Sequence, residues 1–236
     1  MAGSTIGILV CDHVSPRLRE AARDRDYGDM YVEMLTVAEP DLTTRIYDVV
    51  AGELPADPTE CDGWIVTGSR HAADQDEAWL GALGEFLRDL HEVRARVVGI
   101  CFGHQAVAHA LGGRIDRADG WAAGPQEMAV EPTDWFEGGR ISLNAMHRDV
   151  VTALPPGARP IGTGTTAEYP IYVVDDTILG IQDHPEFDAA YTRALIEARE
   201  SYMGDVAAAA LEKVDSVPTD NITVGSWIVN FLLDRR

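Results

Sequence analysis

The tightest constraint on this chain is the alternation of short apolar runs with helix-spaced apolar stripes along its first half. Ile6–Cys11 reads as a buried strand, and Tyr27, Met30, Tyr31, Met34 and Leu35 then recur at intervals of three and four, which is one helical face. Thr44–Val49 and Trp64–Thr67 read as strands. Trp79, Leu80, Leu83, Phe86, Leu87 and Leu90 form a second helical stripe. Val97–Cys101 is a fourth strand, and Gln105–Leu111 a helix closed by Gly112-Gly113. Strands that alternate with helices pair in parallel through crossovers, so the pattern predicts an α/β fold. It is an open, mostly parallel twisted sheet with helices on both faces.

Further on the pattern changes. Gln126–Val130, Ile141–Ala145, Glu168–Val174 and Thr177–Gln182 are short and β-like. Gly138-Gly139, Pro155-Pro156 and Asp175-Asp176 punctuate them, predicting a small β meander joined to the parallel sheet. The tail is helical: Tyr191–Tyr202, Val206–Val214, and a last amphipathic helix marked by Val224, Trp227, Ile228, Phe231 and Leu232, capped by Asp220 or Asn221. Its apolar face is expected to pack on the core; packing on a second copy, as a homodimer, is the alternative. No repeat or long linker divides the chain. The expectation is one domain over residues 1–236, a catalytic core at 1–187 followed by a helical extension at 188–236.

Composition narrows the partners. Nineteen Lys and Arg stand against 39 Asp and Glu, a net charge of −20. Phosphate backbones and anionic membranes call for a basic footprint, so neither nucleic acid nor a membrane surface is expected. Cys11, Cys61 and Cys101 are too few and too scattered for a disulfide framework or a paired-thiol zinc site. Free thiols, no export signal in MAGSTIGILVCDH and no apolar run near the roughly 18 residues of a membrane span point to the cytoplasm. No ligand set has metal spacing, and no phosphate-binding glycine loop is present, so neither a metal nor a cofactor is expected.

The chemistry concentrates around Gly99-Ile100-Cys101-Phe102-Gly103-His104-Gln105. An apolar strand runs into Cys101 and a helix follows, with glycines two residues to either side. This is the pattern of a nucleophile elbow, a sharp strand-to-helix turn that lifts one side chain above the sheet. A helix N-terminus behind the cysteine would favour a thiolate and offer the Phe102 amide to an oxyanion. A buried inert cysteine fits the same spacing. A second stretch, Gln182-Asp183-His184-Pro185-Glu186, follows the apolar strand Ile178–Ile181. In extended backbone His184 and Glu186 point the same way, as a base and its orienting carboxylate would. Alone, this stretch reads equally as a turn.

Together, GICFGHQ and QDHPE, about 80 residues apart, resemble the two hallmarks of the class I, triad-type glutamine amidotransferases. The resemblance spans Ile6 to Phe187 and implies a flavodoxin-like sheet with the elbow cysteine at the carboxyl end of a central strand. It implies Cys101 as nucleophile, His184 as general base and then acid, and Glu186 as its partner. Gly68 and Phe102 would supply oxyanion amides, and Gln105 would contact the glutamyl group. Many members carry Gly-Gly-Pro where this chain has Thr67-Gly68-Ser69. With Glu77-Ala78-Trp79-Leu80, Gly120-Trp121 and Met146-His147-Arg148-Asp149, that version is similar to stand-alone members, the GMP synthase-like proteins and plant-type γ-glutamyl peptidases. Ser69, Arg70, Met146 and His147 are the implied substrate contacts. Arg70, Arg148 and backbone amides near Cys101 are candidates for the substrate α-carboxylate. The implied activity is hydrolysis of a γ-glutamyl amide such as glutamine through a glutamyl thioester; hydrolysis of γ-glutamyl peptides or conjugates is the alternative, and a non-catalytic regulatory module that keeps the fold is the third reading. A separate ammonia-accepting subunit is a further implied partner, since too little chain follows Glu186 for an ATP-dependent domain.

Other polar residues carry two readings. His13, in Cys11-Asp12-His13, either lines the pocket or is a satisfied strand-end residue. His71 either touches substrate or lies on a surface loop. Cys61 reads as structural, His104 as packing beneath the elbow, His91 and His109 as ordinary helix residues, and Asp149 as the cap of a short helix.

Overall fold

The structure, a computed structural model, describes residues 3–236. Met1 and Ala2, the first residues of the segment read for an export signal and of the 1–236 domain, lie outside them. A seven-stranded sheet runs in the order β2-β1-β3-β4-β10-β9-β7. Its members are β1 (Thr5–Val10), β2 (Thr43–Asp48), β3 (Gly63–Val66), β4 (Val97–Ile100), β7 (Ala158–Pro160), β9 (Ile171–Val174) and β10 (Ile178–Ile181). The first five positions are parallel; β9 and β7 continue the edge antiparallel. With β10 in the fifth place this is the flavodoxin-like order.

Helices α1 (Tyr27–Ala38) and α6 (Asn221–Leu232) cover one face, packing on Ile6, Ile8, Val98 and Ile100. Helices α2 (Ala78–Glu92) and α3 (Phe102–Ala110) cover the other, against Leu9, Trp64, Val66 and Val97. Alternate residues of β1 thus enter opposite cores, which explains its unbroken apolar run. The last helix packs on the core as its stripe predicts. Phe231 is fully buried edge-on to Trp135, and Trp227 stacks on Phe136. Helices α4 (Ala189–Met203) and α5 (Asp205–Ser216) pack on each other and on the second sheet.

The meander is divided differently from the expectation. A separate three-stranded sheet, β6-β5-β8, is built on a long hairpin of β5 (Arg114–Val130) and β6 (Gly139–Ala153), with β8 (Gly162–Gly164) on its edge. Each hairpin strand is about three times the length read from apolar residues. In its far half charged residues interleave with buried Ile115, Val150 and Val151, and a register break between Arg117 and Ala122 interrupts the alternation. Asp149 lies in β6, where its carboxylate accepts two hydrogen bonds from Arg117, and it caps no helix. The run 168–174 is a strand only from Ile171.

His104 sits fully buried beneath the elbow, its Nε2 on the Tyr169 carbonyl at 2.8 Å and its ring against Tyr172. Burial outweighs that hydrogen bond and pushes its imidazolium down to about 3. A histidine titrates near 6.5 in the unfolded chain. Below that pH the unfolded state binds the proton and the folded state does not, so this contribution to stability is complete above about 6.5 and is lost as pH falls towards about 3. At about 1.4 kcal/mol per pH unit, the loss at pH 5 is about 2 kcal/mol. Urea unfolding of wild type and His104→Gln at pH 7 and pH 5 checks this: the wild type loses about 2 kcal/mol more than the variant on acidification.

Candidate active site

Strand pairing alone brings the two sequence motifs together. β4 and β10 lie side by side in parallel with Ile100 opposite Ile181, and the Cys101 amide donates to the Ile181 carbonyl. Residues 101 and 182 therefore leave the sheet at the same level, and His184 follows two residues later. β3 ends beside β4, with Val66 opposite Gly99, so Gly68 arrives at the same end. β1 brings Asp12 there. The site thus forms where the carboxyl ends of four adjacent strands open above the sheet.

Cys101 is the hinge of the turn, with φ of 52° and ψ of −102°, and α3 begins at Phe102. Positive φ in a non-glycine residue costs energy and persists only where the surroundings enforce it. They do so here through close approach. A Cβ on Gly99 would lie 2.5 Å from the Gly103 carbonyl oxygen, and one on Gly103 would overlap the Val66 backbone. The two flanking glycines are therefore required for α3 to sit directly on β3 and β4. Gly68 is constrained by the site itself, since a Cβ there would lie 2.8 Å from His184 Cε1.

His184 is held on three sides. Its Nδ1 lies 2.7 Å from Glu186 Oε1, its ring stacks on Phe187 with centroids 4.0 Å apart, and its amide donates to the Asn144 carbonyl on β6. Asn144 in turn donates to the Phe187 carbonyl. His184 and Glu186 are both buried, and His184 shares the neighbourhood of Gly68 with Cys101: a Cβ on Gly68 would lie 2.8 Å from His184 Cε1 and 3.8 Å from Cys101 Cβ. Burial alone would push the imidazolium down. The adjacent Glu186 carboxylate and Cys101 sulfur outweigh it and push it up to about 10. Cys101, His184 and Glu186 are thus buried side by side, with His184 and Glu186 directly linked.

Tyr31, absent from the site read in the sequence, completes that group. From α1 its hydroxyl donates to Glu186 Oε1 at 2.8 Å, the oxygen that faces His184. Within the sequence Tyr31 is one member of an apolar stripe, and nothing local marks its hydroxyl. A second histidine–carboxylate contact, unread in the sequence, lies beside the first: His147 Nε2 and Asp183 Oδ1 are 3.3 Å apart, both almost fully buried.

A cleft of about 410 Å³ opens over Cys101. Gln105, Ser69, Arg70, Met146 and His147 line it, as does Trp121. Several are already engaged. Gln105 Nε2 donates to the Asp149 carbonyl, Arg70 binds the buried Asp12 at 2.7 Å, and Arg148 donates to the Ala118 and Asp119 carbonyls. His13 lines the cleft and is satisfied as well, bridging Asp26 and Asp48. His71, at its edge, contacts Glu77 and Trp79. Cys11 is fully buried, and burial raises its thiol; Cys61 is buried beside Tyr47. Among the described residues no cluster of His, Cys, Asp and Glu has the arrangement of a metal site, and no helix is long and apolar enough to cross a membrane.

Residues 26–199 match the family described as glutamine amidotransferase class-I. γ-Glutamyl peptidase 4 of Arabidopsis thaliana is 34% identical over 157 residues, which cover 60% of this chain and 61% of that protein. γ-Glutamyl peptidase 2 of the same plant is 30% identical over 207 residues, 81% of this chain and 82% of that one. Among solved structures, a glutamine amidotransferase from Thermotoga maritima is similar with a TM-score of 0.73 over 98% of this chain and 97% of that one, at 19% identity; this is a likeness of fold.

Replacing Glu186 by Gln removes the negative charge that holds the His184 proton, so the His184 titration moves down. Imidazole-selective NMR of the two proteins checks this. The wild-type ring stays protonated at pH 8, and in Glu186→Gln it titrates at least one pH unit lower.

Proposed function

Because the chain belongs to the class-I glutamine amidotransferase family, we propose that it is a cysteine-dependent hydrolase of γ-glutamyl amide bonds, with Cys101, His184 and Glu186 as its catalytic triad. One observation carries this reading: the strained elbow at Cys101 faces a buried imidazole that a carboxylate holds in place, at the floor of an open cleft. In the resting site the imidazolium carries the proton that the leaving nitrogen will need.

The Cys101 thiolate attacks the γ-carbonyl carbon, and the carbonyl π electrons move to oxygen. That oxyanion sits at the N-terminus of α3, within reach of the Phe102 amide. Gly68, which lies against His184 and Cys101, supplies the second donor. A lost donor of this kind costs about 3–4 kcal/mol in the barrier. His184 gives its proton to the nitrogen as the C–N bond breaks, leaving a γ-glutamyl thioester and a free amine or ammonia. Water then gives a proton to His184 as its oxygen attacks the thioester. Glutamate leaves and the Cys101 thiolate returns. Glu186 stays ionised throughout, fixing the ring and balancing its charge.

The leaving group is read as larger than ammonia. A cleft of about 410 Å³ is in the range that encloses multi-group ligands, more than a single amino-acid amide fills. γ-Glutamyl peptidases among the relatives favour the same reading. Free glutamine, with ammonia handed to a separate acceptor, is the second reading and is favoured by the family match.

A panel of glutamine, γ-glutamyl dipeptides and γ-glutamyl anilides, assayed for glutamate and for the released amine, tests both. Cys101→Ala is expected to abolish turnover of every member, and full activity in that variant ends the proposal. Faster release of amines than of ammonia supports the larger leaving group.

A further inference from the structure

Helix α4 lies outside the segment that carries the catalytic motifs, yet one of its faces forms a wall of the cleft. Leu195, Arg199 and Tyr202, spaced four and three apart, all line it. Leu195 and Arg199 reach further in, to the narrow floor formed with Cys101, His184, Gly68 and Ser69. Besides the His184 imidazolium, two guanidinium groups border that floor, Arg70 and Arg199. Arg70 is committed to the buried Asp12 carboxylate at 2.7 Å. Higher in the cleft, Arg117 is committed to Asp149, and Arg148 is tied to two backbone carbonyls. Arg17 is exposed at the rim and does not border the floor.

Arg199 is different. It is half-buried, and among the described residues it has neither an ion-pair partner nor a hydrogen bond, in a chain with 39 acidic residues against 19 basic ones. A guanidinium presents five donors in a fixed fork that matches a carboxylate. A γ-glutamyl substrate brings one such group to the floor whenever its γ-carbonyl is at Cys101, because its α-carboxylate is joined to that carbonyl through only three carbons. We propose that Arg199 is the specificity residue that receives the α-carboxylate of the γ-glutamyl group, so that α4 selects glutamyl over uncharged acyl chains. This rests on the γ-glutamyl hydrolase reading, and it moves the α-carboxylate role from Arg70 and Arg148 to a helix that the motifs do not mark.

The test compares γ-glutamyl-p-nitroanilide with 4-aminobutyryl-p-nitroanilide, which has the same acyl chain without the α-carboxylate, in wild type, Arg199→Gln and Arg199→Lys. Arg199→Gln is expected to lower kcat/KM for the glutamyl substrate at least about tenfold, mainly through KM, and to leave the descarboxy substrate within about twofold. Arg199→Lys restores part of the loss. An equal loss on both anilides overturns the assignment. So does a loss on γ-glutamylglycine at least fivefold larger than on γ-glutamyl methylamide, because the carboxylate at Arg199 would then be the leaving group's. A second readout needs no turnover: the ratio of Cys101 alkylation rates with iodoacetate and with iodoacetamide. That ratio is expected to fall at least threefold in Arg199→Gln, and an unchanged ratio overturns the assignment. If wild type hydrolyses no γ-glutamyl compound, the hydrolase reading fails while the alkylation ratio still decides whether Arg199 draws a carboxylate to Cys101.

Discussion

The site depends on one crowded contact, where the first turn of α3 lies directly on the backbone of β3 and β4. Gly99 and Gly103 leave no room for a Cβ, and their closeness forces Cys101 into positive φ. The cost of that conformation is carried by the sheet beneath, whose strands are buried on both faces. In return the sulfur stands clear of the sheet, with the start of a helix behind it. The same contact fixes where α3 begins, and with it the position of the Phe102 amide, of buried His104 and of Gln105 at the cleft wall.

The second half of the site is an exercise in burying charge. A protonated imidazole and a carboxylate, both removed from water, are expensive unless each is paired and hydrogen-bonded. Glu186 Oε1 therefore takes His184 and Tyr31 together, and Phe187 covers the ring. His104, equally buried but facing a carbonyl and a tyrosine ring with His147 as its ionisable neighbour, is driven the other way and held neutral. Two histidines that are buried alike thus differ in charge because one of them has a carboxylate neighbour.

Much of this was legible in the residues. The parallel strands, the helices on both faces and the elbow follow from periodicity and two glycines, because they are set by neighbours along the chain. What was missed is set across the chain. Tyr31 and Glu186 are 155 residues apart, so the hydroxyl's role has no local sign. The far half of the β5–β6 hairpin is bulged and interleaves Ile115, Val150 and Val151 with Arg114, Asp116, Arg117 and Asp149, and β8 is three residues with two glycines, so neither shows a clean strand pattern. Asp149 read as a cap because an isolated aspartate after a polar pair does so commonly, while its real partner, Arg117, stands across the hairpin. Arg70 and Arg148 read as free cations. Their engagement with Asp12 and with the hairpin carbonyls appears only in three dimensions.

The position of β10 sets a timetable for synthesis. This strand is inserted between β4 and β9, although more than 75 residues separate it from β4 along the chain. A growing chain can lay down β1 to β4 and α3 in order, elbow included, while the imidazole has not yet been made. Cys101 therefore spends the translation of residues 102 to 183 without the imidazole that will lie beside it. The surroundings of Cys101 are complete only when a late strand closes the middle of an early sheet.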